Sequence, residues 1–335
     1  MSSRTSSRAW KRLLLGLAVL ILFSGGALIH IGGGPSRLLM LLRGMNPTVI
    51  AGAFLLLFIG EIVKSWRLSF IAGRLGYQLP VRVSALARFS GRLVGVLTPA
   101  YSGSTPTRSL VISAYTGMPP GTSFGLATME SLLDTLVSVF FTIVFTIPLL
   151  PRSWLILLVS ICIGFSWIMG VLWARSNSFS RFIKSLHIPD KAKCFILRQR
   201  ERFLEGLRDA ARLGILTPSL LITLASHVIE AMALLVVLSS DIYSVLSVWL
   251  VLKSFILMEA TYVLTMSITP GGSLFFEYGL AGLMSPASLL SWRVVYLLFS
   301  ILPGLIIVLA IRSVRRYIEE AVNREEVEAC EENSI

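Results

Sequence analysis

The residues in this chain able to do chemistry are charged side chains set inside strongly apolar sequence. Arg88 and Arg92 stand four residues apart and would share one helical face, and Arg108 follows a Pro- and Gly-rich interruption. Glu130 and Asp134 repeat that spacing, Glu277 and Arg293 come late in the chain, and Glu230, Lys253 and Glu259 lie in apolar stretches between them. A charge at the centre of a membrane helix costs about 2.5–3.5 kcal/mol on insertion scales, so such groups turn toward a bundle interior or a wet cavity. Arginine forks can replace the water around an anion of phosphate type. Carboxylates beside them keep an empty cavity near neutral, hold an amine or carry a proton. Arg88, Arg92, Arg108, Glu130, Asp134, Glu277 and Arg293 are therefore read as substrate-binding candidates. The plainer alternative is mutual pairing that fastens the bundle, Arg108 with Glu130 for example, and it applies most to Glu230, Lys253 and Glu259.

Two interruptions accompany the charges. TPAYSGSTP (98–106) contains Thr98, Pro99, Gly103 and Pro106, and TPGGS (269–273) contains Thr269, Pro270, Gly271 and Gly272. In hydrocarbon each freed backbone group costs several kcal/mol, so a break is tolerated only inside protein or beside a water-filled cavity. A helix that restarts after such a break points its amide-bearing end at the gap, where an anion can sit.

The elements that must hold these groups are membrane helices. The chain has 335 residues, 55% hydrophobic and 14% charged, with a mean hydropathy of +0.79. Soluble proteins average about 25% charged residues. Long apolar runs at about 13–31, 48–64, 81–97, 122–148, 153–174, 215–238, 244–267 and 287–311 match the roughly 20 residues that cross a hydrocarbon core. Shorter apolar pieces at about 103–117 and 272–284 each follow a Thr-Pro step. The fold class is an all-α polytopic membrane protein with about eight long transmembrane helices and two short broken or re-entrant ones. A soluble enzyme and an outer-membrane barrel with its short alternating strands are excluded.

Charge gives the orientation. The surplus of +12 is concentrated in basic blocks, and residues 175–212 hold ten basic and four acidic residues. Cytoplasmic loops carry such an excess, so nucleic acid is not needed to explain it. Residues 1–12 form a basic cytoplasmic N-terminus, and 13–312 form the transmembrane domain with an amphipathic cytoplasmic linker at 175–213. Residues 313–335 form an acidic cytoplasmic tail. Lys64, Arg67 and Arg74 mark where the second span returns to the cytoplasm, opening a basic loop at 64–80. In the linker, Phe195, Leu197, Phe203, Leu204 and Leu207 fall near one face, which suits a helix lying on the inner membrane surface. The first run lacks a small-residue cleavage site and reads as an uncleaved span. Cys162, Cys194 and Cys330 have no metal or redox spacing, His30, His187 and His227 are scattered, and no cofactor is expected. No G-x-x-x-x-G-K-[ST] motif occurs.

With both termini inside, the two halves match. A shift of 171 residues, from 98 to 269, lays 48–64 on 215–238, 81–97 on 244–267 and 122–148 near 287–311, with corresponding elements running in opposite directions. That is the pattern of an inverted-topology repeat, halves about 48–148 and 215–311, with a substrate site near the midplane at the interrupted helices.

The order of TPAYSGSTPTRS, the Glu and Asp of MESLLDTL, and TPGGSLFFEYGL resembles the lysylphosphatidylglycerol synthase transmembrane family, the flippase-like integral membrane proteins. The likeness runs from about residue 45 to 312. It places Pro99, Gly103 and Arg108 in the first motif, Glu130 and Asp134 in the next, and Pro270, Gly271, Gly272 and Glu277 in the last. Two departures stand out: Ser102-Gly103-Ser104 where relatives often have paired glycines and an acidic residue, and Ser131 where an Arg commonly follows the Glu. The family implies lipid translocation: movement of an anionic phospholipid, polyprenyl-phosphate or amino-modified headgroup between leaflets of the cell membrane. The resemblance also implies a separate lipid-modifying enzyme as a partner. The aminoacylating relatives carry a soluble transferase domain after the membrane part, and this sequence runs about twenty residues past its last span, so no aminoacyl transfer is expected of it alone. The rival reading is an enzyme or accessory subunit of lipid-linked glycosyl or isoprenoid-lipid synthesis, but the basic loops offer no paired aspartates for a metal.

Overall fold

The computed structural model describes residues 2–147, 154–185, 190–239 and 248–310. The acidic tail and the basic run Arg312, Arg315 and Arg316 lie outside the described residues. In chain order the helices are α1 (Ser2–Gly32), α2 (Pro35–Arg43), α3 (Pro47–Arg74), α4 (Val81–Leu97), α5 (Ser104–Thr116), α6 (Pro120–Thr146), α7 (Trp154–Arg175), α8 (Asn177–Ser185), α9 (Asp190–Ala210), α10 (Leu213–Ser239), α11 (Val248–Thr265), α12 (Phe275–Ala281) and α13 (Pro286–Ala310). No strand occurs among the described residues. Six of these helices, α1, α3, α6, α7, α10 and α13, are long and apolar enough to cross a membrane. This is an all-α polytopic membrane protein.

Local signals set the helix ends. Asn46 caps α3 by accepting from the Thr48 N–H at 3.0 Å, with Pro47 in the first turn where its missing donor costs nothing. Gly117 ends α5 at φ 67°, donating to the Ser113 carbonyl. One corrected expectation concerns α3. It does not end near Lys64 in a cytoplasmic loop but runs on to Arg74, and Lys64 and Arg67 are fully buried. The reason lies in the period: Gly60, Glu61, Lys64, Leu68 and Ile71 fall on one inward stripe, so the charges continue the buried face of the helix.

The surroundings of α3 and α10 form the centre. These two helices pack along each other, α4 lies on α13, and α11 lies on α6. One apolar core joins α10, α11, α12 and α13 to α3, and a second joins α4, α5, α6 and α9 to the lower part of α3. The basic helix α9 turns one side to the helical domain and leaves Glu201, Glu205 and Arg208 exposed. Its apolar side meets α6, with Phe203 against Phe124 at 5.6 Å and Leu207 buried, and the Gly121 N–H donates to Gln199 Oε1 at 2.7 Å. A side chain at Gly125 would stand 2.6 Å from the Phe203 carbonyl, so glycine is what lets the two backbones touch. The linker is thus bound into the helical domain as a packed element.

Candidate functional site

Both interruptions have one backbone form. Thr98 and Thr269 are extended, a proline follows, and the next two residues are left-handed: Ala100 and Tyr101 at φ 53° and 56°, Gly271 and Gly272 at φ 55° and 67°. Left-handed backbone costs a residue with a Cβ roughly 1–2 kcal/mol; the first break carries it at Ala100 and Tyr101, whereas the second uses glycine at those two places and carries it at Leu274, φ 74°. Thr98 closes the first break by donating its hydroxyl to the Val94 carbonyl at 3.0 Å while accepting from the Gly103 N–H at 2.9 Å. The two breaks touch: the Ala100 N–H donates to the Ser267 carbonyl at 3.1 Å. Pro106 is no breaker. It sits in the first turn of α5, where a helix needs no donor.

Beside the first break the arginines meet their carboxylates. Glu61 on α3 takes Arg88 Nε on one oxygen and Arg92 Nη2 on the other, each at 2.6 Å. The i, i+4 spacing of Arg88 and Arg92 therefore does put both on one face, and one carboxylate spans them. Glu130 on α6 binds Arg88, Arg67 at 3.1 Å and Arg108 at 2.9 Å. Asp134, a turn along, holds Arg67 Nη1 at 2.6 Å, and Arg88 Nη2 lies 3.6 Å from its other oxygen. Arg67 also donates to Thr223 on α10.

A second group of charges continues behind them. Lys64 pairs with Glu230 at 2.7 Å and also bonds the Tyr262 hydroxyl, which itself donates to Glu230. The His227 ring stacks on Tyr262 and its Nδ1 stands 2.8 Å from Glu259. Glu230 and Glu259 are thus paired, as the fastening alternative had it. Sequence alone places Lys64 and Arg67 at a membrane boundary and His227 among scattered histidines, and it does not single out Glu61 or Tyr262. Close approach of α10 to α3 is what permits the Lys64–Glu230 pair: a Cβ at Gly60 would lie 2.6 Å from Glu230 Cγ. Lys64, Arg67, Arg88, Arg92 and Arg108 face Glu61, Glu130, Asp134 and Glu230, and Glu259 behind them meets His227, so the lysine, arginine and carboxylate groups of the network carry five formal charges of each sign. Near-balance matters because an unpaired buried charge would cost several kcal/mol.

A cavity of about 500 Å³ opens on this network. Arg88, Arg92, Arg108 and Asp134 line its inner wall, with Tyr101 and Ser104 of the first break beside them. Its outer lip is different in kind. Leu158 and Cys162 of α7, and Ile268 just before the second break, are exposed, Ile268 by 77%. α7 is long and apolar enough to cross a membrane, so the cavity joins a charged inner wall to an exposed apolar mouth. Two floor groups keep unused donors: Arg92 Nε and Arg108 Nε are buried without a hydrogen-bond partner.

Not every candidate converges there. Glu130 is fully buried, one layer behind the cavity wall. Glu277 and Arg293 form a separate cluster at the second break. Their side chains pair at 2.8 Å, Glu277 accepts from the Leu274 N–H at 2.7 Å and from Ser24 of α1, and Arg293 donates to the Gly271 carbonyl at 3.1 Å. Gly271 itself is packed against Leu20 and Val96, and neither Glu277 nor Arg293 lines the cavity. The first break is therefore open to the groove and the second is clamped by an ion pair.

A buried, charge-balanced network beside a cavity, enclosed by long apolar helices, defines a polytopic membrane protein with a polar interior. The chain belongs to the family described as the lysylphosphatidylglycerol synthase TM region, matching it over residues 12–306. It is also 28% identical over 111 residues to a UPF0104 membrane protein of Methanocaldococcus jannaschii, a match that covers 33% of each chain. No solved structure matches it significantly.

Proposed function

We propose that this chain is a lipid translocase that moves an anionic or amino-modified headgroup between leaflets of the cell membrane while the tails stay in lipid. The observation that carries the reading is the groove whose floor is Arg88, Arg92 and Arg108 and whose lip is the exposed apolar side of α7. Guanidinium groups lining the cavity can take the place of a headgroup's water, and the apolar lip lets tails remain outside. The family description names lysylphosphatidylglycerol, an amino-modified phospholipid, and Asp134 on the floor supplies the acidic partner such an amine requires.

The two halves act as an inverted repeat in this proposal, with both termini cytoplasmic. Its support is the shared Thr-Pro backbone form and the packing of α4 on α13 and of α11 on α6, which interchange when the halves do. Chemistry on the lipid belongs to a separate enzyme. The test is headgroup accessibility in proteoliposomes. Arg108→Ala is expected to slow translocation of phosphatidylglycerol at least tenfold at equal protein content; transport at the parent rate sinks the site assignment. Product formed by the purified protein from a nucleotide sugar and polyprenyl phosphate would favour the enzyme reading.

A further inference from the structure

One buried group in the network has a hydrogen-bonding position that its neighbours leave open. His227 of α10 is completely buried, and its two ring nitrogens face two different carboxylates. Nδ1 lies 2.8 and 3.0 Å from the oxygens of Glu259 on α11. Nε2 lies 3.8 Å from Asp134 Oδ1 on α6 and has no partner. A neutral imidazole carries a single N–H, and a carboxylate accepts only. With that proton on Nδ1, the Glu259 bond is made and a bare Nε2 lone pair confronts the Asp134 oxygen. Moving the proton to Nε2 only transfers the conflict to Glu259. A second proton resolves both contacts at once, and closing the gap to Asp134 by under 1 Å would make a normal hydrogen bond.

The remaining surroundings do not supply that proton. From α3, Lys64 is engaged with Glu230 and Tyr262, and Arg67 with Asp134, Glu130 and Thr223. On α10 itself, Glu230 is held by Lys64 and Tyr262. From α13, Tyr296 bonds Thr265 and Arg293 pairs with Glu277. Asp134 and Tyr262, on which the imidazole stacks, both line the cavity, so a single layer of side chains separates the histidine from the groove.

We propose that His227 is a proton-binding site coupled to the occupant of the groove: an anionic headgroup and a proton bind together and leave together. The inference rests on the translocase reading and adds its coupling ion. The proton comes from water in the groove, adds to Nε2, and returns to water when the headgroup departs; no covalent bond to the lipid forms or breaks. Its arrival tips a balanced set of five bases and five acids to one net positive charge. It also draws Asp134 toward the histidine and loosens its 3.6 Å contact with Arg88 Nη2, leaving that one nitrogen to the headgroup while Glu61 and Glu130 keep the rest of the guanidinium. Coupling is reciprocal, so the anion must raise proton affinity by the same factor by which the proton raises anion affinity.

The experiment uses the purified full-length protein in detergent with dihexanoyl-phosphatidylglycerol as probe. A pH indicator in weak buffer follows proton uptake, and calorimetry gives the affinity at pH 6 and pH 8. The expected result is uptake of about one proton per lipid bound and affinity about tenfold weaker at pH 8, within the usual range of coupling factors. His227→Gln, whose amide can still donate to Glu259 but cannot gain a proton, should bind lipid with neither effect. Lipid binding by the parent without proton uptake overturns this inference and leaves translocation standing, as does uptake that persists in His227→Gln. Failure of the parent to bind lipid at either pH overturns the translocase reading and this one with it. Inorganic phosphate should cause no uptake, and uptake with phosphate alone would overturn the lipid as the coupled anion. If His227→Gln aggregates, Glu259→Gln, which removes the carboxylate facing Nδ1, takes its place and should lose the uptake; unchanged uptake there overturns the inference.

Discussion

Replacing Glu61 by Gln tests the buried network at the carboxylate on which two arginines depend. Each oxygen of Glu61 holds one guanidinium at 2.6 Å, and all three side chains are at least 95% buried. The amide oxygen of Gln can still accept from one arginine, but its NH2 group confronts the other, and the negative charge is gone. Arg88 retains Glu130 and, more distantly, Asp134, whereas Glu61 is the carboxylate that pairs with Arg92. The cost therefore falls on Arg92, left with the Phe299 ring at 4.7 Å as its main favourable neighbour. Removing one partner of a buried pair costs about 3–5 kcal/mol. At roughly 2–4 °C per kcal/mol for a domain of this order of size, Glu61→Gln should lower the Tm in detergent by about 10 °C. The double variant Glu61→Gln with Arg92→Met should be less damaged than the sum of the singles, because no unpaired charge remains. The expected coupling is about 0.5–3 kcal/mol. A Tm within about 2 °C of the parent for Glu61→Gln, or strict additivity in the double variant, would refute the claim that this pair carries the network.

Three further outcomes follow from the geometry. Ala100→Gly should stabilise by up to about 1 kcal/mol by relieving left-handed backbone, while Gly272→Ala, whose Cβ would lie 2.2 Å from the Leu264 carbonyl, should prevent accumulation of folded protein; thermal melts and detergent gel filtration read both. With Cys162, Cys194 and Cys330 replaced by Ser, Arg108→Cys should react with a small water-soluble thiol reagent and Arg293→Cys should not, since only the former lines the groove; mass spectrometry of the labelled protein gives the result. Gly125→Leu should detach α9 from α6, because its side chain meets the Phe203 carbonyl, and faster proteolysis at the basic linker would register it.

Much of the architecture was legible before any coordinates. α4, at 81–97, and the restart of α5 after the first Thr-Pro step stand where hydropathy and proline chemistry put them, since both signals are local. Helix α2 was missed because the short segment Pro35–Arg43 has neither the length nor the apolarity of a span. Lys64 and Arg67 were misread because a positive charge after an apolar run usually marks a membrane boundary; only the 3.6-residue stripe through Gly60, Glu61, Lys64, Leu68 and Ile71 signalled otherwise. Glu61 and His227 could not be recognised as members of the buried network, being single polar groups whose partners lie 27 to 32 residues or more away in the chain.

The sequence alone established a helical membrane protein with two proline-marked breaks and charges that had to be sheltered, because apolarity, run length and missing amide donors act within a few residues of one another. Which charges share a room could not be read there. Arg88, Arg92, Arg108 and Asp134 open on a groove while Glu277 and Arg293 lock a closed break, though both sets look alike along the chain. That division arises when α3 and α10 press together at Gly60 and when α7 leaves one side of the first break exposed. Pairing between helices depends on distances that exist only after packing, and the cost of an unpaired charge in a membrane then selects one set of partners.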